Sequence, residues 1–261
     1  MNIKILIATH KEYKMPEDNM YLPIHVGKEG KEAIGYIGDN TGDNISKKNP
    51  YYCELTGLYW GIKNLECDYI GLVHYRRHFS NESILKIFNR DKYKNIIKEN
   101  EIKKILTKYD VILPKKRHYI IENLYDHYEH THHIDHLDIT REIIKEICPE
   151  YLISFDCVMK RRSAHMFNMF VMKKKFANQY CEWLFKILYE LEKQIDITQY
   201  DSFQARLFGR VSELLLDVWI EHNKIVYKEI PYLHIEKVNW VKKGSNFLRS
   251  KIFNRKLEKS F

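Results

Sequence analysis

The chain is poor in the residues that break or staple a fold. It holds only 6 Pro and 10 Gly in 261 residues, and no low-complexity linker separates its parts. That length and texture predict one α/β-sized domain with elaborations. The five Cys, at 53, 67, 148, 157 and 181, are odd in number and include no C-x-x-C. A disulfide frame and a spaced zinc site are thereby excluded, and the thiols are expected to be free, most of them core fillers. No apolar run approaches the roughly 20 residues of a membrane span. The opening Met1–Ala8 goes straight into a strand-like run, without a signal peptide's long apolar stretch and small-residue cleavage site. A cytoplasmic protein is expected. There is no G-x-x-x-x-G-K-[ST], no G-x-S-x-G, no G-x-G-x-x-G and no H-E-x-x-H. P-loop, hydrolase-elbow, dinucleotide and zincin chemistry lose their usual marks. A compact D-x-D at a strand end is missing too.

What is present is aromatic and unevenly charged. Hydrophobic residues make up 44%, with 19 Tyr, enough for a sizeable core. The net charge is +8, but residues 237–261 carry eight Lys/Arg against Glu258 alone, so residues 1–236 stand at only +1. A basic face built into the fold, as a nucleic-acid binder needs, is therefore not expected. In the tail, Leu248 and Ile252, and Phe253, Leu257 and Phe261, recur at four-residue steps among the basic residues. This fits a basic amphipathic segment touching anionic membrane, and equally a solubilising terminus.

Hydrophobic patterning predicts strands at Ile3–Ala8, Tyr69–His74, Asp110–Leu113, Met166–Met172 and Ile225–Ile230. Helices are expected at 50–64, 82–107, 138–147, 150–159, 173–193 and 202–222. Residues 12–50, with five Gly and three Pro, are expected to be a long loop. The alternation of strand and helix implies a mainly parallel sheet with helices on both faces.

Ligands of open α/β sheets lie beyond the carboxyl ends of the strands. Three polar groups are expected there: Thr9-His10-Lys11, His74-Tyr75-Arg76-Arg77-His78, and Asn168. Guanidinium forks match phosphate oxygens, so Arg76 and Arg77 point to an anion, the alternative being a salt-bridged strand exit. Asp39, Asp43 and Asn44 in the 38–46 loop suit sugar or ribose hydroxyls, or else an Asx-turn that caps the next element. His127, His130, His132, His133 and His136 crowd one segment without a metal-ligand spacing, which favours a polar lid or an acceptor-binding segment, the alternatives being a plain solvated loop and, less favoured, a metal site. Glu213, among Val211, Leu214, Leu215 and Leu216, is either a general base of raised pKa or a salt-bridge partner of Arg206 or Arg210.

Together, ATHK (8–11), YLPIHVG (21–27), GDNTGDNISKKNPYYCELTGLYW (38–60), YIGLVHYRRHF (69–79), NMFVM (168–172), YCEWLF (180–185) and R-x-x-G-x-x-S-E (206–213) resemble a family. It is a bacterial family of capsular and exopolysaccharide biosynthesis proteins, long catalogued as a domain of unknown function, that includes O-antigen galactofuranosyltransferases. The likeness runs from about residue 3 to 232 and is weakest over 82–107 and in the tail. It implies a GT-A-like Rossmann-type sheet flanked by helices over 1–236, and a glycosyltransferase using a UDP-sugar, with galactofuranose or galactose as candidate donor sugars and inversion as the expected outcome. A lipid-linked or growing surface glycan is the implied acceptor, and residues 237–261 a membrane-associating tail. Thr9, His10, Lys11, Asp39, Asp43, Asn44, His74, Arg76 and Arg77 are then expected on the donor nucleotide and diphosphate. Tyr128, His132, Asn168 and Arg206 are expected at the acceptor, and Glu213 as catalytic base. The arginines stand where metal-dependent GT-A enzymes place D-x-D, so no metal cofactor is expected, Mn²⁺ or Mg²⁺ being the alternative. A non-catalytic sugar- or nucleotide-sugar-binding protein of the same pathway is the competing reading.

Overall fold

A computed structural model describes residues 1–81 and 91–236. The first half runs β1 (Ile3–Thr9), β2 (Tyr21–His25), β3 (Ile37–Gly38), α1 (Asn49–Tyr52), α2 (Leu55–Asn64), β4 (Tyr69–His74), β5 (Arg77–Phe79), α3 (Glu99–Leu106), β6 (Val111–Pro114) and β7 (Arg117–His118). It continues with α4 (Leu124–Thr131), α5 (Asp135–Ile147), α6 (Leu152–Met159), β8 (Ser163–Ala164), β9 (Phe170–Lys173), α7 (Lys174–Gln194), α8 (Leu207–His222), β10 (Lys228–Ile230) and β11 (Tyr232–His234).

The main sheet follows the order β10-β6-β9-β4-β1-β2-β3, with β5 and β11 branching from β4. The β1–β2, β1–β4, β2–β3 and β6–β10 pairs are parallel, whereas β9 runs against its neighbours β4 and β6, β5 against β4, and β11 against β5. The fold is α/β with a mainly parallel sheet flanked by helices, as expected.

The central strands are apolar on both sides because both faces are covered. In β1, Ile3, Ile5 and Ile7 enter one core, while Leu6 and Ala8 enter the other. In β4, Tyr69 and Val73 join the first set, and Ile70 and Leu72 the second. The face that takes Leu6 is built with α2, α5, α6, α7 and α8, and the opposite face with α3. Truncating such a side chain to Ala costs about 2–5 kcal/mol.

Several elements differ from the sequence expectation. The 12–50 region contains β2, a five-residue parallel strand that its Pro23 disguises. The helix expected over 50–64 breaks at Cys53, whose φ is 52°. The strand expected over 166–172 begins only at Phe170, so Asn168 lies in a turn and not inside a strand. The helix expected over 82–107 is α3 from Glu99 on, and its 82–90 part lies outside the described residues, as does the 237–261 tail.

Candidate active site

Parallel strands place their carboxyl ends on one edge. Ala8 of β1 is level with His74 of β4, so Thr9-His10-Lys11 and Tyr75-Arg76-Arg77 leave the sheet side by side. Because β9 is antiparallel to β4, with Leu72 opposite Phe170, the turn before β9 reaches the same edge. The three expected strand-end groups therefore meet.

The turn is Phe167-Asn168, with φ of 74° and 53°. Asn tolerates the left-handed region, whereas a Phe there is strained by about 1–3 kcal/mol. The surroundings hold it in place. The His74 Nε2 lies 2.6 Å from the Phe167 carbonyl oxygen, and the Phe167 amide donates to the Glu213 carboxylate. Asn168 is 1% exposed. Its amide donates to Glu54 Oε1 at 2.7 Å and to the Gly209 carbonyl at 3.0 Å, and its Oδ1 accepts from Ser212 Oγ at 3.0 Å. Gly209 fits this close approach, since a Cβ would stand 3.1 Å from Cys53 Sγ and press on it. Close approach of α8 to the α1–α2 break lets Arg206 Nε reach Cys53 Sγ at 3.1 Å.

Glu213 is half-buried on α8, and it forms no ion pair with Arg206 or Arg210. Burial and the neighbouring Glu54 carboxylate push its pKa up to about 7, against the opposing pull of the Phe167 amide, Arg77 and Arg210. Arg77 stacks its guanidinium 4.3 Å from the Phe167 ring. Burial lowers its pKa and Glu213 counteracts this. Among the described residues, neither Arg77 Nε nor Arg210 Nη2 has a hydrogen-bond acceptor, although both are buried. Arg210 donates through Nη1 to His132 Nδ1 at 2.8 Å, and its guanidinium lies 3.9 Å from the Phe203 ring. Burial and Arg210 press His132 down to about 3, so it is neutral.

The outer rim is cationic. Arg76 is partly exposed and pairs with Glu236 at 3.4 Å. Lys11 lies over Tyr13 and Tyr75, and His10 meets the edge of Tyr75. Burial lowers the His10 pKa, aided by Lys11, Arg76, Lys31 and Arg206. Thr9 Oγ1 donates to the Lys11 carbonyl at 2.7 Å and fixes the exit of β1.

Other expected site residues stand apart. Asp43 contacts Tyr59, Lys63 and the ladder of Asn64, all in the last turns of α2. Asn44 closes a local turn with Gly42 and Ser46. Glu54 is at the other end of that ten-residue helix, about 15 Å away. Asp39 is fully buried and accepts from the amides of Gly27 and Lys28 and from Ser46. The crowded histidines divide into separate groups. His127 and His130 face Glu122, while His136 lies between Tyr128 and Tyr200. Tyr128 is itself buried, with its hydroxyl at 2.9 Å from His136 Nδ1.

Among the described residues no group of three or more His, Cys, Asp or Glu is arranged to hold a metal ion. The side chains at the end of β4 are His74, Arg76 and Arg77, a largely cationic set and not the oxygen ligands that suit Mg²⁺ or Mn²⁺. No helix among the described residues is long and apolar enough to cross a membrane.

Comparison with known proteins now decides the family, because the model of the domain of unknown function DUF4422 matches residues 4–224. The chain belongs to the DUF4422 family. The resemblance seen in the sequence is thus confirmed at the level of the family. The DUF4422 chain is also similar to a solved structure, the apo form of the WbbM bifunctional glycosyltransferase, at 33% identity and a TM-score of 0.83. That match covers 91% of this chain and 46% of the other, so this chain spans less than half of that protein's length. No curated protein sequence matches it.

Sequence reasoning missed Glu54 and Arg210 as members of the candidate site. Glu54 follows Cys53 in what looked like one helix, and nothing in its spacing announces the break. Arg210 was visible only as a partner for Glu213, whereas it faces His132.

Proposed function

We propose that the chain is a glycosyltransferase that moves a sugar from a UDP-sugar to a hydroxyl of a surface glycan or lipid-linked glycan, with inversion. One observation carries this reading. A carboxylate held near pH 7 feels the charge of two half-buried arginines, Arg77 and Arg210, each with a buried N–H that has no acceptor, at the sheet edge where α/β ligands bind. The likeness to a structure described as a bifunctional glycosyltransferase supports the reaction class.

In this mechanism Glu213 accepts the proton of the acceptor hydroxyl as its oxygen attacks the anomeric carbon. A base of pKa near 7 is matched to that task. The bond from the anomeric carbon to the diphosphate breaks, and the electron pair leaves on UDP. Arg77 and Arg76 stabilise the charge that develops there, without a metal. Thr9, His10 and Lys11 line the nucleotide side, and His74 holds the Phe167 turn beneath it. His132 and Arg206 border the acceptor side. Asn168, with its amide fully engaged, and Tyr128, with its hydroxyl engaged, position their neighbours. Galactofuranose and galactose are the donor sugars to try first.

The test is turnover of UDP-galactofuranose and UDP-galactose by wild type and Glu213→Gln, with UDP binding measured in parallel. Loss of turnover with UDP binding retained is expected. Unchanged turnover overturns the base assignment. Strict dependence on Mn²⁺ overturns the role given to the arginines.

A further inference from the structure

The loop between β7 and α4 exposes two adjacent large apolar side chains, Ile120 at 88% and Ile121 at 59%. Isolated exposed apolar residues are ordinary, but this pair has a collar. β7 pairs antiparallel with β8, Arg117 opposite Ala164 and His118 opposite Ser163, and the Tyr119 amide donates to the Arg162 carbonyl at 2.7 Å. The pairing brings the 115–118 and 160–162 segments together. Lys115, Arg117, His118, Lys160 and Arg162 are exposed around the isoleucines. Three of the acidic residues nearby are engaged elsewhere. Glu122 turns inward to His127 and His130, Glu221 pairs with Arg161 at 2.7 Å, and Glu229 reaches His165 and Lys116.

The geometry points to this loop as a membrane-contact surface, with Ile120 and Ile121 entering the headgroup boundary of an anionic bilayer and the basic collar resting on lipid phosphates. Apolar insertion and cation attraction add in such contacts, each basic residue near the surface contributing about 1 kcal/mol. The surface lies on the same sheet edge as the site, since β6 is parallel to β4 and the loop follows its carboxyl end. Tyr119, packed on His127 with ring centroids 4.2 Å apart, links the loop to the surroundings of Glu213, whose charge helps to raise its pKa to about 12 after burial. A lipid-borne acceptor held at this surface would present its head to the site from the bilayer side. The contact itself rests on the loop alone and not on the proposed reaction.

The experiment uses the full chain, basic tail included, with vesicles of phosphatidylcholine with and without phosphatidylglycerol. Ile120→Trp should show a blue-shifted difference spectrum against wild type on anionic vesicles only, quenched by labels on the upper acyl chain. Ile120→Ser/Ile121→Ser should weaken vesicle partitioning about tenfold with an unchanged melting curve. Binding without a shift at position 120 places the contact in the tail alone and overturns the proposal. A shift that appears with rising protein concentration and no lipid makes the surface a contact between copies, and overturns it too.

Discussion

Asp39 and Glu213 are both shielded carboxylates, one in a loop and one on a helix, yet they are opposites in bonding. Asp39 is fully buried, with three donors turned on it from Gly27, Lys28 and Ser46. Glu213 receives one backbone amide and faces another carboxylate, Glu54. The first has both oxygens bonded by its own chain and organises a loop. The second is under-solvated and near its titration point, with arginine donors beside it that have no acceptor. Polarity alone does not separate structural from chemical residues. Unused hydrogen-bonding capacity does.

The sharpest way to break this contrast is Glu213→Gln, expected to lower kcat by about 10²–10⁴-fold while UDP affinity by calorimetry holds. Its effect on stability should be the reverse of a structural carboxylate's. Folded Glu213 keeps its proton up to about pH 7, whereas the unfolded group loses it near 4.5. The folded state therefore binds more protons between those values, and stability falls as pH rises through that window. Urea melts at pH 8 should show Glu213→Gln as stable as wild type or more so. Asp39→Ala should instead lose about 2–4 kcal/mol in the same melts, because buried donors are left unpaired. A loss of UDP binding without loss of stability would move Asp39 into the site. Arg77→Ala should weaken UDP about tenfold to a hundredfold, read by calorimetry. Activity of the wild type should fall below an acid limb near pH 7, and Glu54→Gln should shift that limb to lower pH by less than about one unit, since it removes a neighbouring negative charge. Smallest of all, Asn44→Ala should change stability by less than about 0.5 kcal/mol and leave turnover unchanged.

Much of the fold was legible because the central strands are buried on both faces and show as continuous apolar runs, as in Ile3–Ala8 and Tyr69–His74. Convergence of His10, Arg77 and Asn168 was legible through the carboxyl-end rule. What stayed hidden depends on backbone angles and long-range pairing. Nothing local marks Cys53 as the residue where two helices part, nor Phe167 as left-handed. Asp39 and Asp43 share one loop in the sequence, but Asp43 is held by Tyr59, Lys63 and Asn64, toward the end of α2 far from Glu54. Glu54 became visible only once the Asn168 amide was seen to hold it.

The Phe167-Asn168 turn ties β4, the start of α2 and α8 through four hydrogen bonds. Residues joined in that way do not vary independently. Substitutions at 54, 168 and 212 should show strong coupling in double-mutant cycles, each change altering what the others tolerate. In a library randomised at these positions, function should survive as linked combinations and not as a sum of single choices. For anyone redesigning the acceptor side, that turn marks the boundary between positions that can be exchanged one at a time and those that must be exchanged as a set.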